Sequence, residues 1–483
     1  MSTFGTIFRV TTFGESHCKG VGAIIDGVPP GLELTEADIQ PQLTRRRPGQ
    51  STLTTPRNEA DKVTILSGTE FGRTLGTPIG LFVPNEDQRP GDYKEMSSVP
   101  RPGHADYTYQ MKYGIRASSG GGRSSARETI GRVAAGAIAE KWLLQTFGTR
   151  VVTWVNSVGH ISIPEEVVAE KGCGWTREEV DRLGALNLLR DPSVFPIDLA
   201  ALEKGADAAK RTAELERKDQ AETAFLAAPE EDATPAYRDA SGAVYTRTGA
   251  HIPAPPANID AWVTDDLVAL RCPHPPTSCK MATLIREVKA AKDSIGGTLT
   301  TMCTNVPPCL GEPVFDRLEA KLAHAMLSLP ATKGFEIGTG FRGTAMRGSA
   351  HNDAFVANTE PGQGKLTTKT NNAGGTLGGI SVGTPIQFRV AIKAVSTIGQ
   401  AQHTSTFDGT ETVLEAKGRH DPCVLPRAPP LLEGMTTIVL ADAVMMQRTR
   451  LGGSNLIADP SLILAAAETA EANGHSAKKA RAE

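Results

Sequence analysis

The chain has 483 residues, 39% hydrophobic and 22% charged, with 49 glycines and 32 prolines but only 5% aromatics. That length builds one large domain or two to three ordinary ones, and the apolar share excludes a largely disordered chain. A net charge of −3 excludes nucleic-acid binding as the main business, so arginines matter as local clusters.

Seven scattered cysteines with no C-x-x-C pair argue against a disulfide scaffold and for a reducing cytosol. No metal site is expected. The N-terminus has no basic-then-apolar leader, and no apolar run approaches about 18 residues, so neither a signal peptide nor a membrane span is expected.

Alternation predicts strands at Phe4–Val10 and Val21–Ile25, joined by the polar loop Gly14-Glu15-Ser16-His17-Cys18. A lone loop histidine is usually just solvated, but His17 is flanked by Glu15 and Ser16, which makes it a general acid–base candidate. Thr35 and Asp38 form a capping-box pattern at the head of a helix that ends in Arg45-Arg46-Arg47-Pro48-Gly49. Three arginines before a Pro-Gly stop read either as a solvated face or as a fixed loop presenting guanidinium groups to a polyanion. Residues 63–83 alternate as strands around Gly76-Thr77-Pro78. Arg101-Pro102-Gly103-His104-Ala105-Asp106-Tyr107 then places a cation and a proton donor close together, a pairing suited to a departing phosphate.

Ser118 to Thr129 reads Ser-Ser-Gly-Gly-Gly-Arg-Ser-Ser-Ala-Arg-Glu-Thr. Glycines let the backbone approach a ligand, and Ser125 with Glu128 reads as a capping box for a helix from about Ala126 to Gln145. A helix N-terminus with two serines, Arg123 and Arg127 suits a phosphorylated ligand, the alternative being an ordinary capped helix after a flexible loop. A strand follows at Val151–Val158. Residues 161–260 then shift to Ala, Glu, Asp, Lys and Pro, with a charged helical stretch from Ala200 to Ala228 and a linker at Pro253–Ala257. This segment is expected as an insertion, partly disordered or helical.

Helices are predicted again at Met281–Ala291, Phe315–Leu327 and Met435–Thr449, and strands at 296–301, 334–338 and 385–395, the last carrying Lys393. Gly374–Gly383 matches neither a Walker loop nor G-x-G-x-x-G and reads as hairpin glycines. Gly418-Arg419-His420-Asp421-Pro422-Cys423 sets a carboxylate beside two cationic residues, either a structural ion pair or a base. The expected division is a core in two parts, 1–160 and 261–460, split by the 161–260 insert and closed by a frayed tail, 461–483.

Taken together, the islands at Gly14–His17, Asp26–Pro29, Arg45–Gly49, Arg101–Tyr107, Gly121–Thr129 and Gly418–Cys423 resemble chorismate synthase, in order, over nearly all of residues 4–160 and 270–450. The resemblance implies an α+β fold, the family's β-α-β-α sandwich with internal repetition, in a cytoplasmic homotetramer. It implies conversion of 5-enolpyruvylshikimate 3-phosphate to chorismate and phosphate with reduced FMN, the last step of the shikimate pathway of aromatic amino acid biosynthesis.

Carried over by motif, His17 would protonate the reduced flavin, His104 would assist phosphate departure, and Asp421 would act with the flavin on the C6 proton. FMN would meet Ser16 through its support of His17, then Arg123, Ser124, Ser125, Ala331, Gly378, Lys393, Ala394, Val395, Ser396, Thr397 and Arg419. Substrate anions would meet Arg46, Arg101, Arg127 and Arg419. The chemistry agrees: a redox-neutral 1,4-elimination across an unactivated C–H needs a group that lends an electron and takes it back, and a substrate with a phosphate and two carboxylates accounts for arginine clusters in an acidic chain. The chain departs from the family pattern at Pro330, at Ala394–Thr397, and at Thr52, where bacterial members carry an arginine assigned to NADPH. NADPH is expected as the reductant of an enzyme that reduces its own flavin.

Overall fold

The structure is a computed structural model that describes residues 2–457 other than 56, 58, 88–94, 118–119, 173, 195, 197, 203–206, 230, 360–363, 417–419 and 454–455. The 461–483 tail therefore lies outside the described residues.

The N-terminal sheet is built from β1 (Thr3–Phe4), β2 (Arg9–Gly14), β3 (Gly20–Asp26), β4 (Thr64–Ser67) and β5 (Ile79–Pro84), all antiparallel in the order β1-β2-β3-β5-β4. The period of two buries Ile79, Leu81 and Val83 of β5 on one face. Between β3 and β4 runs α1 (Glu36–Arg46), whose head is closed as its sequence suggests: the Thr35 N–H donates to Asp38 Oδ2 at 2.9 Å. After β5 come α2 (Asp106–Tyr113) and α3 (Thr129–Phe147).

β6 (Arg150–Val158) and β7 (Ile161–Ser162) begin a second core sheet. The chain then makes α4 (Arg177–Leu183), β8 (Ala185–Arg190), α5 (Ala208–Ala227), β9 (Tyr237–Asp239), β10 (Val244–Tyr245), β11 (His251–Ile252) and β12 (Val263–Ala269). α6 (Pro275–Ala290) leads back to β13 (Gly297–Thr304), α7 (Leu318–Leu327), β14 (Thr332–Ile337), β15 (Ile386–Ile392) and finally α8 (Pro429–Leu451). The second core sheet has the order β14-β15-β13-β6-β7.

α3 packs on β2, β3 and β5, and α8 packs on β6 and β13, with α1 and α7 beside them; α6 and α4 pack against β6 as well. The two long helices are pressed together. A Cβ on Gly136 would fall 2.2 Å from Gly434 Cα, so the backbones touch where only glycine permits it. α3 is apolar nearly all round, as a helix covered on several sides must be. α8, which carries Glu433 and Asp442, is by length and composition apolar enough to cross a membrane, where the sequence leads to no expected span. Yet 83% of its apolar window is packed inside the molecule. Both carboxylates are used there, Asp442 accepting the N–H groups of Thr6, Ile7 and Phe8 at 2.7–3.0 Å.

The 161–260 segment contains the expected helix, α5, but also β8–β11, strands the sequence did not predict, which with β12 just beyond the segment form a sheet in the order β11-β10-β9-β8-β12. Leu186, Leu188, Tyr237 and Val268 are fully buried and continuous with the main core, and the Tyr237 hydroxyl lies 3.1 Å from Thr283 Oγ1 of α6. Strands of two or three residues carry no visible alternation, which is why composition suggested less order than is found.

Candidate active site

β2 ends at Gly14, and the loop beyond it presents His17. Ser16 Oγ lies 3.1 Å from His17 Nδ1, and Ser16 itself is buried. Gly120 packs flat against this pair: at φ +66° it occupies the left-handed region, and a Cβ there would sit 2.4 Å from His17 Nδ1. The glycine-rich loop is thereby laid against the histidine. Arg123 ties it to β2, donating from Nη1 to the Gly14 carbonyl (3.0 Å) and from Nη2 to the Thr12 carbonyl (3.1 Å) and hydroxyl (2.6 Å).

The loop's helical end differs from its sequence pattern. Ser125 caps a 3-10 turn, Ala126–Glu128, by accepting the Arg127 N–H at 3.2 Å, and the α-helix begins only at Thr129. Glu128 turns forward to Arg132 at 2.6 Å, an i,i+4 ion pair that draws it away from the Ser125 backbone. Ser118 and Ser119 lie outside the described residues.

Asp106, at the start of α2, organises the second island. Its carboxylate takes a two-pronged contact from Arg101, Nε at 2.7 Å and Nη2 at 2.9 Å, and His104 Nδ1 lies 2.9 Å from its Oδ1. Burial works against its charge, but the hydrogen bonds from Arg101 and His104 and their charges hold it well below the usual carboxylate range. Arg101 also donates to the Gly120 carbonyl at 3.1 Å, so the two islands share one framework.

Asp61, fully buried and with φ +50°, joins two arginines the sequence had assigned to substrate. Arg46 Nη1 reaches its Oδ2 at 2.6 Å, and Arg127 Nη1 its Oδ1. Arg46 further donates to Thr129 Oγ1 (3.2 Å) and the Ala126 carbonyl (2.8 Å), and Arg127 to Asn85 Oδ1 (2.7 Å) and the Pro84 carbonyl (2.9 Å). Burial draws the Arg46 guanidinium down to about 10, with Asp61 opposing. Both arginines line the cavity but spend donors on the protein, fixing the first turn of α3. The arginine run is neither a solvated face nor a fixed loop: Arg45 and Arg46 are buried in the last turn of α1, and Arg47 is its C-cap.

Asp421 is held from two sides, Oδ1 accepting the Thr55 N–H at 3.0 Å and Oδ2 facing Arg427 Nη2 at 2.7 Å. Arg419 lies outside the described residues. On the opposite edge of the cavity, β15 runs out into Lys393, whose ammonium donates to the Ala394 carbonyl (3.1 Å) and Ser396 Oγ (2.6 Å). Burial, and then the nearby Lys333 charge, lower its basicity. The Lys393 N–H bonds the carbonyl of Ala331, itself at φ +66°.

One cavity of about 1650 Å³ is lined by His17, His104, Asp421, Arg46, Arg101, Arg123, Ser124, Ser125, Arg127, Ala331, Lys393, Val395, Ser396 and Thr397. Ser16 and Ala394 stand behind that wall. Gly378 is at the tip of a separate hairpin, Thr376–Leu377 with Ile380–Ser381, that packs on the head of α7 and does not line the cavity. Arg57 and Arg427 line the cavity too and were missed, as were Asp61 and Glu59, which neutralise the arginines. The spacing of Arg57, Glu59 and Asp61 just after an arginine run is the signal that would have pointed to them.

Three ionisable side chains, His17, His104 and Asp421, thus face one arginine-rich cavity, the kind of arrangement found in enzymes. The family model described as chorismate synthase matches residues 8–445. The chorismate synthase of Schizosaccharomyces pombe is 50% identical over 457 residues, 95% of this chain and 99% of that protein. The Saccharomyces cerevisiae chorismate synthase is 48% identical, covering 93% and 98%. A chorismate synthase crystal structure superposes with a TM-score of 0.56 at 28% identity, over 93% of this chain and 94% of the other. The chain belongs to the chorismate synthase family, carbon–oxygen lyases of aromatic biosynthesis.

Proposed function

We propose that the chain converts 5-enolpyruvylshikimate 3-phosphate to chorismate and phosphate with reduced FMN. The observation that carries this reading is the convergence of His17, His104 and Asp421 on one cavity in a chain of this family. The cavity fits two ligands side by side: about 1650 Å³ exceeds the roughly 300–1,000 Å³ of a single-ligand pocket. Its lining also suits anionic groups, with the hydroxyls of Ser124, Ser125 and Thr397 and the cations Arg123 and Lys393 on the wall. These residues, with Ala331, Val395, Ser396 and Arg419, would hold the cofactor; Gly378, off the cavity in the single chain, is left out. When bound, reduced flavin supplies an electron transiently and recovers it.

The chain's own groups do the rest. Asp106 engages His104 Nδ1, which leaves Nε2 to give a proton to the departing phosphate. Asp421, oriented by Thr55 and Arg427, accepts the proton lost from carbon. Ser16 orients His17 through Nδ1, so that Nε2 serves the cofactor. Arg46, Arg101 and Arg127, held in place by Asp61, Glu59 and Asp106, would offer their remaining N–H donors to the substrate's three anionic groups from positions that cost no reorganisation.

The same reading extends to NADPH as the source of reducing equivalents, to a homotetramer and to the cytosol. Exposed Phe315 (90%) and Phe341 (78%) supply apolar surface for assembly, and no disulfide joins the six described cysteines to one another, in keeping with a reducing compartment. The test is anaerobic turnover with photoreduced FMN, reading chorismate and phosphate in equal amounts; flavin binding without chorismate would sink the proposal. Aerobic turnover with only NADPH and FMN added tests the reductase, and light scattering tests the tetramer.

A further inference from the structure

We propose that the segment between β7 and α6 positions Asp421: Glu222 of α5 fixes Arg286 of α6, Arg286 fixes one end of the 51–55 turn, and the other end of that turn holds the carboxylate. Arg286 Nη1 donates to both oxygens of Glu222, at 3.0 and 2.8 Å, and Arg190 Nη2 of β8 adds a contact at 3.3 Å. Arg286 Nη2 then donates to Thr52 Oγ1 at 3.3 Å, and Lys289 Nζ to the Thr52 carbonyl at 2.7 Å. The turn itself is stiff. Thr54 donates its N–H to the Ser51 carbonyl at 3.1 Å and its hydroxyl to the same oxygen at 2.9 Å, while Leu53 is fully buried. Three residues beyond Thr52, the Thr55 N–H holds Asp421 Oδ1 at 3.0 Å.

A displacement at Thr52 is thus carried to the carboxylate through one short closed turn, and displacements of an ångström are costly at a reacting centre. Among the described residues Arg427 contacts Asp421 directly, Cys423 lies close enough to feel its charge, and Arg46 lies beyond Arg427. None of these comes from the segment, so its influence runs through the turn. Glu222, Arg286 and Thr52 are positioning residues.

The inference rests on Asp421 being the proton acceptor of the proposed reaction. The experiment measures kcat and KM for the wild-type chain, E222A, T52V, the double variant of these two, T52S and D260N. Asp260 pairs with Arg238 within the same segment at 2.9 Å but touches neither Arg286 nor the turn, so D260N controls for general loosening. E222A and T52V are each expected to lower kcat about 5- to 10-fold with KM little changed. T52S, which keeps the hydroxyl that Arg286 holds, should retain wild-type kcat. The double variant should be no worse than E222A, and D260N should match wild type. Wild-type kcat in E222A, an additive double variant, or D260N behaving as E222A would overturn the positioning role. If E222A shows no cooperative unfolding transition, T52V, which leaves α5 intact, decides by the same criteria. A wild-type chain that makes no chorismate defeats the functional reading instead.

Discussion

Arg45 and Arg46 are neighbours on α1, yet they serve two different electrostatic regions. Arg45 points into the interior toward Glu433, which is fully buried and also meets Arg177 at 3.3 Å, Gln42 at 3.1 Å and the Thr153 N–H at 3.0 Å. Arg46 points toward Asp61 and the cavity. Successive helical residues lie about 100° apart, which alone separates their surroundings. The interior network is closed, each of these partners being protein, and burial of Glu433 is outweighed by Arg177 and Arg45, which hold its carboxyl at about 2. The cavity network has one side open to a ligand. The first should govern stability and the second turnover.

The sharpest break in that comparison comes from the cavity. Asp421→Asn and His104→Ala should each lower turnover by about 10²–10⁴-fold, the range for a general acid or base, while the urea midpoint stays near wild type. Loss of cooperative unfolding instead would reassign them as structural. The reverse pattern is expected of Glu433→Gln: about 3–5 kcal/mol of stability lost in urea titration, because Arg45 and Arg177 are left facing a neutral amide, with KM unchanged in the folded fraction.

Acid should sharpen the contrast. The Glu433 carboxyl lies at about 2 in the fold against an ordinary 4.5, so its contribution is fully present above about 4.5 and is lost as pH falls from there through 2. Wild-type stability should therefore fall across that window, and Glu433→Gln should show a flatter profile. A parallel fall in both proteins would remove Glu433 from the account. The smallest effect is expected from Ser125→Ala, about 1 kcal/mol for a lost cap, accompanied by weaker flavin binding in fluorescence titration before any change in substrate KM.

Local patterns carried well where chemistry is local. The Thr35–Asp38 box, β3, β5 and β6 were legible because capping and alternation are settled within a few residues. The Gly374–Gly383 stretch was rightly a hairpin. Ser125 misled because its cap is real but closes a 3-10 turn, Glu128 being claimed by Arg132. β9–β11 were invisible because they are too short to alternate and exist only by pairing in succession, β9 with β8, β10 with β9 and β11 with β10.

The sequence by itself determined the family and brought out His17, His104 and Asp421 as the proposed acid–base set, since they sit in long motifs of rare residue combinations. It also showed local arginine clusters in an acidic chain. What the arginines do was decided only by the tertiary structure. Arg46 and Arg127 meet on Asp61, Arg45 is diverted to Glu433, and Arg101 turns to Asp106, because a buried guanidinium must find an acceptor and the fold decides which carboxylate is within reach.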